Sequence, residues 1–87
     1  MRMNLKQEEL IDYMFNNVKE KYPEIVLKSL STNPDDHEHI WINVIADMDE
    51  EREMEMIHYS CSIESELEMK YGYAISIMPE NPSLVFA

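Results

Sequence analysis

His39-Ile40-Trp41-Ile42-Asn43-Val44-Ile45-Ala46-Asp47 alternates with a period of two. On an extended chain Ile40, Ile42, Val44 and Ala46 fall on one side, and Trp41, Asn43, Ile45 and Asp47 on the other. The wholly aliphatic side is the expected core face of a strand spanning 39–47, because β-branched residues pack well on a pleated, half-buried surface. What lies on either side of this strand has a different period, and that contrast sets the fold class.

Upstream, Leu10, Ile11, Met14, Val18 and Tyr22 recur every three or four residues, which predicts a helix over 5–22 with one buried stripe. Asn4 followed by Gln7 forms a capping-box pattern at its start, and Pro23 ends it because proline disfavours helical geometry in the residue before it. Ile25, Val26, Leu27 and Leu30 predict a strand over 24–30, and the polar run Ser31-Thr32-Asn33-Pro34-Asp35-Asp36 reads as the loop after it.

Downstream, Asp47 or Asp49 is placed to cap a helix over 50–71, with Glu50, Glu51 and Glu53 in the turn where the helix dipole favours negative charge. Met54, Ile57, Cys61, Leu67 and Tyr71 mark its expected stripe, widened by Met56 and Ile63. Gly72, the only glycine, stands where a left-handed cap is needed. Tyr73, Ile75 and Ile77 then alternate with Ala74, Ser76 and Met78, predicting a strand over 73–78 that Pro79 closes, with 79–87 as a tail.

The expected architecture is therefore α+β: α-β-β-α-β in one domain, a three-stranded mixed sheet with two helices on one face. A short loop between the first two strands favours an antiparallel hairpin, whereas a helix of about twenty residues between the last two favours parallel strands. With both helices on the Ile-rich face, the face carrying Trp41, Asn43, Ile45, Ser76 and Met78 is left without a covering layer.

Composition narrows the function classes. The 87 residues carry 18 acidic against 7 basic side chains, a net charge of −11, and a field of that sign repels phosphate backbones and anionic membrane surfaces. Neither nucleic acid nor membrane is expected as a direct partner. A single cysteine, Cys61, excludes an intrachain disulfide and suits a reducing compartment, and the N-terminal residues carry no signal-like apolar run. A cytoplasmic location is expected.

The order of elements resembles the minimal nucleotidyltransferase fold of small antitoxin-type and kanamycin-transferase-like domains. The likeness rests on Tyr22-Pro23-Glu24-Ile25-Val26-Leu27 leading into the first strand and Tyr71-Gly72-Tyr73-Ala74-Ile75-Ser76-Ile77 at the later helix-to-strand junction. In that family a Gly-Ser pair after the first strand holds a triphosphate, and two aspartates on the second strand bind metal. Here the corresponding positions read Lys28-Ser29-Leu30-Ser31 and His39, Trp41, Asn43, and the last strand offers Ala74, Ser76 and Met78 in place of a third carboxylate. The resemblance implies a degenerate, non-catalytic member, since two-metal phosphoryl chemistry needs those ligands.

Two functional readings follow. In the first, Trp41, Asn43, Ile45 and Met78 form an interface for a protein partner or a second copy, because an uncovered tryptophan exposes the large apolar surface that interfaces use. Burial of Trp41 beneath Leu84-Val85-Phe86 of the tail is the competing reading of the same residue. In the second, the domain binds a small ligand, nucleotide or divalent metal, with His37 and His39 as candidate metal ligands and Lys28 as a candidate ligand-binding cation. Against it, Asp35-Asp36-His37-Glu38-His39 also reads as a solvated acidic turn, and sequence places no third ligand. No cofactor and no catalytic residue is expected: Ser60, Ser62, Ser65 and Ser76 lack a recognisable base, and neither a nucleophile elbow nor a P-loop is present.

Overall fold

A computed structural model describes residues 3–82. The elements are α1 (Leu5–Lys21), β1 (Val26–Asn33), β2 (Asp36–Ile45), α2 (Glu50–Tyr71) and β3 (Ile75–Glu80). β2 lies in the centre of a β1-β2-β3 sheet, antiparallel to β1 and parallel to β3, so the expected α+β order and mixed sheet are observed.

Local chemistry sets most of the boundaries. Asn4 and Gln7 form the reciprocal capping box: the Gln7 N–H donates to Asn4 Oδ1 at 2.8 Å and the Asn4 N–H to Gln7 Oε1 at 2.9 Å. α1 stops at Lys21 rather than Tyr22, because Pro23 pushes the preceding residue out of the helical region and Tyr22 sits at φ −127°, ψ 75°. Asp49 caps α2 by accepting the Arg52 N–H at 2.8 Å. At the far end Gly72 takes φ +74°, and its N–H reaches the Glu68 carbonyl at 2.9 Å.

Gly72 makes a clean test of backbone strain. A Cβ added there meets nothing within 4 Å, so the left-handed conformation alone sets the penalty. Gly72→Ala is expected to cost about 1 to 2 kcal/mol. Thermal denaturation should show it as a fall in Tm of about 4 to 8 °C per kcal/mol.

The hairpin is longer than its apolar pattern suggests. Ser31-Thr32-Asn33 belongs to β1 and Asp36-His37-Glu38 to β2, leaving a two-residue turn at Pro34-Asp35 where a six-residue loop is expected. Asn33 Oδ1 accepts the Asp35 N–H at 2.8 Å, a side-chain-closed turn that lets a polar ladder extend beyond the core. β1 correspondingly begins at Val26 and ends three residues later than predicted, while β2 ends at Ile45 with Ala46 and Asp47 outside it. β3 is shifted too. It excludes Tyr73 and Ala74 and runs through Pro79 to Glu80, because at a sheet edge proline forfeits no ladder bond on its outer side.

One helix face is corrected. The buried stripe of α2 is Met56, Ser60, Ile63 and Leu67, whereas Met54 (53% exposed), Cys61 and Tyr71 point to solvent. A serine holds one place in the stripe because its hydroxyl donates to the Ile57 carbonyl at 2.9 Å, which satisfies the group inside the helix. The α1 stripe of Leu10, Ile11, Met14, Val18 and Tyr22 is buried throughout.

Both stripes meet Ile40, Ile42, Val44, Ala46, Ile75 and Ile77 in one core. Met14 and Met56 are fully enclosed there, fitting flexible side chains into the space between helices and sheet. Every buried side-chain nitrogen or oxygen among the described residues has a hydrogen-bond partner.

Candidate functional site

Strand register defines what shares the other face of the sheet. On β2, Trp41 pairs with Ser31 on one side and Ser76 on the other, Asn43 with Ser29 and Met78, and Ile45 with Val26 and Glu80. Neighbours in register project to the same face, so these residues form three cross-strand rows with His39 at one end. Trp41, Asn43 and Ile45 are half-buried and Met78 is 38% exposed. All four expected interface residues are thus brought together.

Polar groups run through the middle of this face. Asn43 Nδ2 donates to Ser29 Oγ at 3.1 Å and to Ser31 Oγ at 2.9 Å, which binds β2 to the hydroxyls of β1. A bulge between Leu27 and Ser29 inserts Lys28 into β1, and its ammonium pairs with Glu80 of β3 at 2.8 Å. The pair bridges the two outer strands over β2 and is more than half exposed. Lys28 is accordingly held by a carboxylate of its own chain.

His39 enters a network that its sequence neighbourhood does not reveal. Its Nε2 lies 2.6 Å from Ser76 Oγ, and that hydroxyl donates to Glu64 Oε1 of α2 at 2.7 Å. Ser76 shares a register row with Trp41, so the Glu64 carboxylate reaches beyond the β3 edge to the face opposite its helix. The His39 and Trp41 rings meet edge to face with centroids 6.5 Å apart.

A serine beside a histidine and a glutamate invites comparison with hydrolytic triads, but the connectivity differs. Ser76 Oγ lies within hydrogen-bond distance of both Glu64 Oε1 and His39 Nε2, so the carboxylate competes with the imidazole for the hydroxyl proton. Glu64 lies 3.8 Å from that same Nε2 and not behind Nδ1, where it would orient a general base. Ser76 is also only 8% exposed. The group ties α2 to the open sheet face, and it is what the sequence reading missed; alternation places Ser76 on that face, but only the β2–β3 register and the position of α2 join it to His39 and Glu64.

His37 is exposed on the extended hairpin, while His39 is turned toward Ser76. Among the described residues no group of three or more His, Cys, Asp or Glu side chains is arranged to hold a metal ion. Leu84-Val85-Phe86, the expected alternative cover for Trp41, lies outside the described residues. A groove of about 290 Å³ between the helices is lined by Leu10, Tyr13, Leu67 and Tyr71. Its lysines are engaged, Lys6 with Glu9 and the Tyr71 ring and Lys70 with Glu66.

At the opposite end of α1 a second polar cluster serves packing. Arg52 forks onto both oxygens of Glu24 and stacks 4.7 Å from the centre of the Tyr22 ring. That hydrogen-bonded fork holds the Glu24 carboxyl below its usual range. Burial, reinforced by the nearby Glu55 carboxylate, pushes the Tyr22 phenol above its ordinary value.

Comparison with known proteins finds no family model, no curated protein and no solved structure that matches the chain. Among the described residues no helix is long and apolar enough to cross a membrane.

Proposed function

We propose that this chain is a non-catalytic protein-interaction module whose open sheet face, centred on Trp41, receives a protein partner or a second copy. One observation carries the reading: two helices enclose one face of the sheet, while Trp41, Ile45, Met78 and Val26 on the other have no covering layer among the described residues. A half-buried tryptophan between two serines, with Met78, Ile45 and Val26 further along the same face, offers the aromatic anchor and polar surround of an interface hot spot.

The connectivity of the polar groups supports the non-catalytic reading. Ser76, His39 and Glu64 are bonded to one another in an order unsuited to nucleophilic attack, and Lys28 is paired with Glu80. The reading accords with the resemblance to a degenerate nucleotidyltransferase-like domain, with His39, Trp41 and Asn43 at the positions where metal-binding aspartates would stand. A reducing, cytoplasmic setting fits the free and exposed thiol of Cys61.

Trp41→Thr keeps a β-branched residue in the strand while removing the aromatic surface. The variant is expected to retain its helical circular dichroism and to lose the binding made through this face, measured as retention of a co-purifying partner. A wild-type chain that sediments as a monomer at every concentration and retains no partner would contradict the reading.

A further inference from the structure

We infer that the outer edge of β1 is a self-association seam, at which two copies pair β1 against β1 about a two-fold axis and extend the sheet to six strands. This goes beyond the face just described, because it concerns the strand's edge and commits the partner to a second copy of the chain. The order β1-β2-β3 places β1 at the margin, and among the described residues no strand pairs with its outer side. Alternate residues of this eight-residue strand turn their N–H and C=O groups away from β2, in the form that another strand can extend.

Charge selects the partner and the place. A chain of net charge −11 repels its own copy, and that repulsion is weakest where acidic side chains are absent. β1, Val-Leu-Lys-Ser-Leu-Ser-Thr-Asn, is the one element of the five without an aspartate or glutamate. α1 carries Glu8, Glu9, Asp12 and Glu20, β2 carries Asp36 and Glu38, α2 bears a run of glutamates, and β3 carries Glu80. The acid-free strand is thus the line along which two copies meet at the lowest electrostatic cost.

The usual protection of a sheet edge is also withdrawn. Charged side chains, lysine especially, keep edges from pairing, and Lys28 is the only charged residue in β1. Its ammonium is drawn across β2 to Glu80, away from the margin, so it guards the open face and not the edge. Val26 and Leu27, at the start of the strand, remain 55% and 48% exposed. The bulge at Leu27/Ser29 interrupts the ladder at that end, but Ser29, Leu30, Ser31 and Thr32 continue in unbroken register with β2 and supply a straight segment for antiparallel pairing. Like segments paired antiparallel satisfy two-fold symmetry without a second surface.

Hydrogen exchange of the β1 amides in the wild-type chain, followed over a dilution series beside sedimentation, tests the seam directly. The expected result is a mass of twice the 10.4 kDa chain at high concentration, with β1 amides that lose protection in step with dissociation. Added salt should strengthen the dimer by screening the mutual repulsion. The double substitution Leu27→Glu, Ser29→Glu places acid on both sides of the axis and is expected to leave a monomer, whereas Trp41→Thr leaves the β1 dimer in place. A monomeric wild-type chain, β1 protection that is independent of concentration, or a dimer broken by Trp41→Thr with β1 exchange unchanged would each overturn the seam. The last of these outcomes would leave the Trp41 face standing as the interface. Should the double variant fail to fold, the exchange experiment on the unaltered chain decides.

Discussion

Tyr22→Ala is expected to remove about 3 to 5 kcal/mol of stability, the range for emptying a large aromatic site. A domain of this length is held by about 4 to 13 kcal/mol in total, so the variant loses a large fraction of its stability and should unfold at a markedly lower urea concentration. Tyr22 is 1% exposed at the junction of α1 and the chain leading into β1, with Arg52 over its ring and Tyr59 beside it. Truncation therefore removes the floor on which the Arg52–Glu24 fork rests as well as the ring itself. Urea unfolding followed by Trp41 emission gives the loss directly.

Tyr22→Phe separates the ring from its hydroxyl. The phenol reaches Glu55 Oε2 only at 3.5 Å, so its removal at neutral pH should change stability by less than about 1 kcal/mol. In alkali the two chains should part. Burial raises the folded pKa of Tyr22 above the ordinary value of 10.0, so the neutral phenol favours the folded state. That contribution is fully present below pH 10 and is lost as pH rises through the folded value. Tyr22→Phe is expected to flatten this alkaline loss, and an unchanged alkaline slope would mean that other groups govern it.

The second large effect distinguishes the two sides of β2. Ile42 is fully buried at the centre of the core face, and Ile42→Ala is expected to cost about 2 to 5 kcal/mol. Ile45, half-buried on the opposite face between Val26 and Glu80, should lose about 1 kcal/mol or less when shortened to alanine. The same substitution three residues apart thus reports which face is packed. Equal losses measured on dilute, unassociated chains would show that the Trp41 face is covered within the monomer and would remove the main support for its role as an interface.

What could be read from the sequence alone was set within a few residues. The Asn4/Gln7 box, the α1 stripe, the alternation of β2 and the glycine cap at Gly72 each depend on steric and hydrogen-bonding preferences spanning one or two turns. Those preferences act wherever the residues occur, and the α-β-β-α-β order follows from them. The collection of Trp41, Asn43, Ile45 and Met78 on one face was legible for the same reason, since strand alternation fixes the side on which each falls.

Tertiary structure decided the rest, because register and helix rotation are chosen by contacts between segments distant in sequence. The α2 stripe turns on Ser60 and not Cys61, a rotation that apolar pattern cannot reveal when an internally bonded serine packs as well as a hydrophobic residue. Pro79 stays within β3 because that strand is at an edge. Lys28 meets Glu80, 52 positions away, only because a bulge turns it across β2. His39, Ser76 and Glu64 come from three different elements, and no local spacing encodes their meeting. Local pattern sets which elements form and which side of each strand is apolar; the packing of those elements sets which polar groups meet, because each such meeting needs a register and a helix position that no single segment contains.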